Sequence, residues 1–375
     1  VMEDINQRFA ALIVTQACAV QPGERVLTEL TDPDEGLGAE LIRAVHRVGG
    51  HPFYHQMRDT LEAAWISCAD EDTSRRQADW DRQRMEQMDV FISLRRSENP
   101  CDLTEIPAEQ AQLYRSLYTR PVHFETRLPH TRWLAMALPS PAMAQAAGMS
   151  TRDLYQFYYD SCLIDYRQFH RRMMPLAELM TQTDQVRITG PQLELQFSVR
   201  DMGVSICRGN RNIPAGEVFT APVPDSAEGH IRYNVPARWE GQLFTGVTLD
   251  FSHGRIVNVS CEIGDCERLT QIFDTDAGAR YIGEFAMGTN PFIHRITGDI
   301  LFDEKAAGSF HFTPGNSYGP GNKSQIHWDM VRRMQPEYGG GDIYFDGVLV
   351  QRDGLFVLPE LLPLNSENLK RELAL

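Results

Sequence analysis

The chain has 375 residues, 42% hydrophobic and 23% charged, with 28 glycines and 21 prolines. That is the make-up of a globular protein, and its length exceeds one average core, so two domains are expected. A net charge of −15 excludes a general nucleic-acid binder, which needs clustered Lys and Arg to hold phosphates.

From the N-terminus, Met2 to Ala19 carries a helical stripe at Ile5, Phe9, Leu12, Ile13 and Ala17. The turn Q-P-G-E leads into a strand over Arg25 to Leu30. Gly36 to Val48 reads as a helix stopped by Gly49-Gly50, and His51 to Met57 as a second strand. A charged helix over Asp70 to Met88 precedes a third strand, Asp89 to Arg95. Strands and helices alternating at this length predict parallel β-α-β units, hence an α/β N-terminal domain with an open, mainly parallel sheet. Ala108 to Thr183 is mainly helical around a short apolar segment, Trp133 to Leu138. Tyr155, Phe157, Tyr158, Phe169 and the Met173-Met174 pair read as core residues.

After Asp184 the texture changes. Short alternating segments dominate: Val186 to Ile188, Leu193 to Val199, Ile231 to Val235, Gly246 to Phe251 and Arg255 to Cys261. Tight turns such as S-H-G-R at 252–255 and F-D-G at 345–347 join strands of this kind. The expected division is an α/β domain over 1–184 and a β-rich (α+β) metal-binding domain over 185–375.

No run of about eighteen apolar residues exists, so no membrane partner is expected. The first residues, V-M-E-D-I-N-Q-R-F, carry no basic segment followed by an apolar core, which argues against a secretory signal. Seven cysteines are scattered along the chain. Only Cys261 and Cys266 are close, and there is no C-x-x-C, so reduced, mostly buried thiols in a cytoplasm are expected.

The chemistry concentrates in the second half. Asp303 to Asp329 holds His311, Tyr318, His327 and Asp329 within one glycine-rich stretch. His327 and Asp329 are two apart, so on a strand both leave the same face. Glu217 follows a Pro/Gly turn in N-I-P-A-G-E-V-F-T, and Glu284 sits in Y-I-G-E-F-A-M-G-T-N. Each alone has a plain alternative: a solvated glutamate after glycine, or, for His311 between Phe310 and Phe312, a core histidine. Together, two Glu, two His and one Asp suit a divalent ion. They exceed what one catalytic zinc needs, and fit a two-metal site with a bridging carboxylate. G-P-G-N-K-S at 319–324 lacks the spacing of a phosphate loop.

Several blocks, in order, carry a family resemblance: P-A-G-E-V-F-T-A-P, I-G-E-F-A-M-G-T-N, D-E-K-A-A-G-S-F-H, N-S-Y-G and N-K-S-Q-I-H-W-D. With a looser likeness at V-Q-P-G-E-R-V-L, the chain resembles the aminopeptidase T and aminopeptidase S metallopeptidases, also called thermophilic metalloproteases. That resemblance implies a metal-dependent aminopeptidase acting on short peptides or small amides, and a homodimer. It implies two divalent ions (Zn, Co, Mn or Mg) on Glu217, Glu284, His311, His327 and Asp329. Glu284 and Tyr318 would be catalytic, with Tyr318 donating to the oxyanion and Glu304 a candidate general base. The segment between His311 and His327 is shorter than in those peptidases. The chain is also similar to the 2,5-dihydroxypyridine dioxygenases, through F-T-A-P-V-P-D-S-A-E-G. That reading implies one Fe(II) on two His and a carboxylate, but such enzymes place a histidine at the position of Glu284 and lack counterparts of Glu217 and His311.

Overall fold

The computed structural model describes residues 2–32, 35–99 and 106–373. The chain divides into two compact units, Val1–Tyr155 with Gly209–Ile213, and Gln156–Arg208 with Pro214–Leu375. The division expected after residue 184 therefore falls earlier. The helix Tyr166–Gln182 packs on strands of the second unit, burying Phe169, Met173 and Leu176 there. An amphipathic helix takes the unit that covers its apolar stripe, not the unit whose pattern it continues.

In the first unit, β1 (Arg25–Thr31), β2 (His51–Met57), β3 (Val90–Arg95) and β4 (Arg132–Ala137) form one sheet in the order β2-β1-β3-β4. All three pairings are parallel, as the alternation predicts. β3 opens on an apolar run because helices cover the sheet: Val90, Phe91 and Ile92 are buried, as are Val26 and Leu27 of β1. The helices are α1 (Met2–Leu12), α2 (Glu35–Arg47), α3 (Asp59–Cys68), α4 (Glu71–Met85) and α5 (Ala108–Tyr114), among others. Asp70 caps α4 by accepting from Thr73 N at 2.8 Å. No described helix is long and apolar enough to cross a membrane.

The second unit contains an eight-stranded and a five-stranded sheet. The smaller is antiparallel throughout: β5 (Val204–Cys207), β6 (Glu217–Thr220), β7 (Ile282–Gly288), β8 (Ser309–Pro314) and β9 (Val331–Arg333), in the order β9-β8-β7-β6-β5. Phe285 pairs with Phe312 across β7 and β8. Their rings meet Phe197 of the eight-stranded sheet at 5.1 and 4.8 Å. Phe251 and Phe345, also from that sheet, approach Phe312 and Phe285. Burying each such ring stabilises the sandwich by about 2–3 kcal/mol. Alternation then sends the intervening residues to the opposite face. Glu284 and His311 are among these, so the phenylalanines flanking His311 mark the core side and the imidazole points the other way.

Cys261 and Cys266 are joined by a disulfide, with Cα atoms 6.1 Å apart, within the span such a bridge needs. The expectation of reduced thiols does not hold for this pair. A turn over 261–266 leads into the helix Cys266–Phe273 and brings the two close. Cys18, Cys162 and Cys207 are free and buried, and Cys68 is free and exposed; Cys101 lies outside the described residues.

Candidate metal centre

A glycine precedes each of the two glutamates, and each glycine has a steric reason. Gly216 has φ +124°, and a Cβ there would meet the Phe169 ring at 2.6 Å. Gly283 sits at an irregularity in the β7–β8 pairing, where a Cβ would meet Asn316 O at 2.3 Å and Gly315 O at 2.5 Å. A bare backbone at 283 thus lets residues 315–316 lie against β7. Asn316 O then lies 2.8 Å from His327 Nδ1. A carbonyl only accepts, so Nδ1 carries a hydrogen, and once the imidazole is neutral Nε2 is the nitrogen with the free lone pair.

The predicted ligands converge. Glu217, Glu284 and His311 offer atoms within 4.8 Å of one another, as do Glu284, His327 and Asp329, and a third set, Glu304, His311 and Asp329. His311 Nε2 is 3.0 Å from Glu284 Oε1 and 3.6 Å from Glu217 Oε2. His327 Nε2 is 3.2 Å from Asp329 Oδ1. His327 and Asp329 lie on an extended segment outside the named strands, touching the sheet through the Gly315–His327 bridge. The expected alternation still operates: Trp328 turns away into Trp239, Phe244 and Phe273, at 5.3, 5.7 and 5.9 Å. Tyr318 stands at the rim, 73% exposed, with its ring 4.6 Å from that of His327.

Three partners were not read from the sequence. Lys305 is fully buried. Its Nζ contacts Glu304 Oε1 and lies 3.7 Å from Glu217 Oε1. Its place beside Glu304 in D-E-K was the available signal. Thr313 Oγ1 donates to Asp329 Oδ1 at 2.7 Å, and Asn316 orients His327. Both become visible only once β8 and its continuation are paired.

Burial raises the Glu284 carboxyl, against the pull of His311, and raises Glu304 to about 8, against Lys305. Burial works against a charged His311, but Glu284 and Glu217 raise it to about 10. His327 is raised to about 9 in the same way, chiefly by Asp329. Burial would raise Asp329, but His327 holds it well below the usual carboxylate range. Glu217 Oε2 is buried and receives no hydrogen bond. Buried carboxylates beside two imidazoles fit a hard or borderline dication, which would take the place of the imidazole protons and supply the positive partner that such an oxygen lacks.

A pH dependence follows. Both imidazoles hold protons in the metal-free protein, and a ligand imidazole must be neutral. Metal uptake should release protons, with apparent affinity rising with pH until about 9 to 10. The metal-free fold should behave oppositely. Both pKa values are raised above 6.5, so the contribution is complete below pH 6.5 and is lost as pH climbs through 9 and 10. Calorimetric titration in buffers of different ionisation heat, and denaturant midpoints in chelator at pH 7 and 10, check the two signs.

Known proteins share this fold. Wild-type AmpT from Thermus thermophilus superposes with a TM-score of 0.79 over 96% of this chain and 100% of its own, at 21% identity. The 2,5-dihydroxypyridine dioxygenase of Pseudomonas putida KT2440 shares the fold at a TM-score of 0.61 and 16% identity, over 96% and 99% of the two chains. Aminopeptidase 2 of Geobacillus stearothermophilus is 24% identical over 91% of this chain and 93% of its own. Aminopeptidase T of Thermus aquaticus is 35% identical over a stretch covering 37% of each. The fold and the family match define the class, a metal-dependent peptidase. Residues 2–356 match the thermophilic metalloprotease (M29) family, and the chain belongs to that family, the aminopeptidase T/S group that its sequence blocks resemble.

Proposed function

We propose that the chain is a two-metal aminopeptidase that releases N-terminal residues from short peptides, working as a homodimer. The observation that carries this reading is the overlap of the donor sets. Glu284 belongs to the Glu217–His311 set and to the His327–Asp329 set, and His311 and Asp329 recur in a third with Glu304, so Glu284 would be within reach of both ions. Four carboxyl groups, Glu217, Glu284, Glu304 and Asp329, crowd around one ammonium, Lys305, and divalent ions beside them would offset that crowding.

When bound, such ions (Zn, Co, Mn or Mg) polarise the scissile carbonyl and acidify water. The protein supplies the rest. Glu304, buried beside Lys305 and within reach of His311 and Asp329, is the proton-transfer group. Tyr318, on the rim beside His327, donates its phenol to the carbonyl oxygen as charge builds there. A cavity of about 520 Å³ opens beside His327 and Asp329, walled by Pro236, Trp239, Ile300 and Leu301. It receives the side chain of the N-terminal residue.

Leu- and Ala-p-nitroanilide and short peptides, offered with Zn, Co or Mn, should yield free amino acid, with two ions per chain by metal analysis. No cleavage across the panel by fully loaded protein rejects the proposal. One iron per chain with oxygen uptake on hydroxypyridines would instead support the dioxygenase reading suggested by the shared fold. Against that reading, position 284 holds glutamate, and Glu217 and His311 are in the centre.

A further inference from the structure

The first unit contains a second cavity, of about 530 Å³, within the usual size of small-molecule sites. His55, Gln56 and Met57 form one wall at the C-terminal end of β2, and α3, α4, α5 and the helical stretch Arg115–Arg127 supply the others. The carboxyl ends of parallel strands are where open α/β sheets bind ligands.

Three aromatic rings line it. Tyr114 and Tyr118 stack at 4.9 Å and 11°, and Trp65 stands near-perpendicular to both, at 5.8 and 6.2 Å. Each phenol leans on a carboxylate: Tyr118 Oη donates to Asp81 Oδ2 at 2.9 Å and Tyr114 Oη to Glu62 Oε1 at 3.4 Å. A hydroxyl that donates to an anion leaves its ring more electron-rich, which strengthens attraction for a cation on the ring face.

The carboxylates differ in how far they are satisfied. Asp81 is saturated by Tyr118, Gln77 and Arg84. Glu62 is not. Its Oε2 is buried without a hydrogen-bond partner. Arg95 lies 3.9 Å away, but its guanidinium is committed to Asp59 Oδ1 at 2.7 Å. After burial itself, Glu62, Glu29 and Asp81 raise the Tyr114 phenol, and Asp81, Tyr114 and Glu29 that of Tyr118. Arg58, the remaining fixed cation on the lining, is exposed.

The geometry points to a binding site for a small organic ammonium ion, with its charge on Glu62 Oε2 and its apolar body against Trp65, Tyr114 and Tyr118. An anion would meet a carboxylate oxygen that receives no hydrogen bond, and a neutral ligand without a donor would leave that oxygen unsatisfied. The site is built wholly from the first unit and does not depend on the metal-centre reading.

Benzylammonium is the probe, titrated calorimetrically into the metal-loaded full chain, with benzyl alcohol and benzoate as uncharged and anionic counterparts. Saturable 1:1 binding of the amine alone is expected. Glu62→Gln should weaken it about tenfold or more, and Trp65→Leu, at a half-buried position, about tenfold. Glu284→Gln in the metal centre should leave it unchanged. Equal binding of the alcohol overturns the inference, as does no amine binding at millimolar concentration. Loss of binding in E284Q but not in E62Q would place the amine at the metal centre and also overturns it. Should E62Q fail to fold, W65L decides alone.

Discussion

Glu284→Ala is expected to strip the protein of divalent metal and to lower kcat/KM by about a thousandfold or more. Glu284 joins the Glu217–His311 set to the His327–Asp329 set, so its loss opens both, whereas loss of Glu217 opens only the first; Asp329, which also belongs to two sets, should behave like Glu284. The carboxylate is held in place by the strand. β7 is buried along its whole length, and Glu284 faces Thr313 across the β7–β8 ladder. Glu284→Gln keeps the volume and removes only the charge. It should lose metal almost as completely, which separates ligand loss from a packing defect. Thr313→Val provides the scale. It removes the hydroxyl that orients Asp329 while keeping a β-branched residue in the strand, and should weaken metal binding about 10- to 100-fold. Metal analysis by mass spectrometry, with peptidase assays on the same samples, checks the order E284A, E284Q, T313V. Full metal content in either Glu284 variant removes the bridge from the proposal.

Much of this was legible in the residues, for identifiable reasons. β2 falls on the predicted span, 51–57, because a glycine pair precedes it and a helix follows. β1 is legible from the Q-P-G-E turn before it, and β3 from its apolar start, Val90, Phe91 and Ile92, because a parallel sheet covered by helices needs no polar face. The candidate donors stand out because carboxylate and imidazole are unusual next to glycine and aromatic residues. What stayed hidden needed long-range pairing. β7 carries no period-two signal, since both its faces are buried. α3 was not predicted: its N-cap residue, Arg58, makes no side-chain cap, and its apolar residues form only a weak stripe. The helix Tyr166–Gln182 continues the helical texture before it, so nothing local shows that its buried face belongs to the second unit. Lys305 reads as an ordinary surface lysine until Glu217 and Glu304 are folded around it.

That lysine carries the second large effect. Lys305→Met should destabilise the metal-free protein by about 3–5 kcal/mol, the usual result of removing one partner from a buried ion pair. Glu304, Glu217 and Lys305 are all buried, so solvent screens none of them. Burial disfavours the ammonium, yet Glu217 and Glu304 hold it charged, and Lys305 in turn limits how far burial raises Glu304. Methionine fills similar volume, so the loss is electrostatic and not a cavity. Metal should then matter in a specific direction. Divalent ions beside Glu217 and Asp329 replace part of the missing positive charge, so the K305M deficit should shrink when Zn is present and reappear in chelator. A lysine that merely packs would give the same deficit in both. Urea midpoints of wild type and K305M, each with Zn and with chelator, make the comparison, and equal deficits would mean that the ammonium and the ions do not share one pool of carboxylate charge.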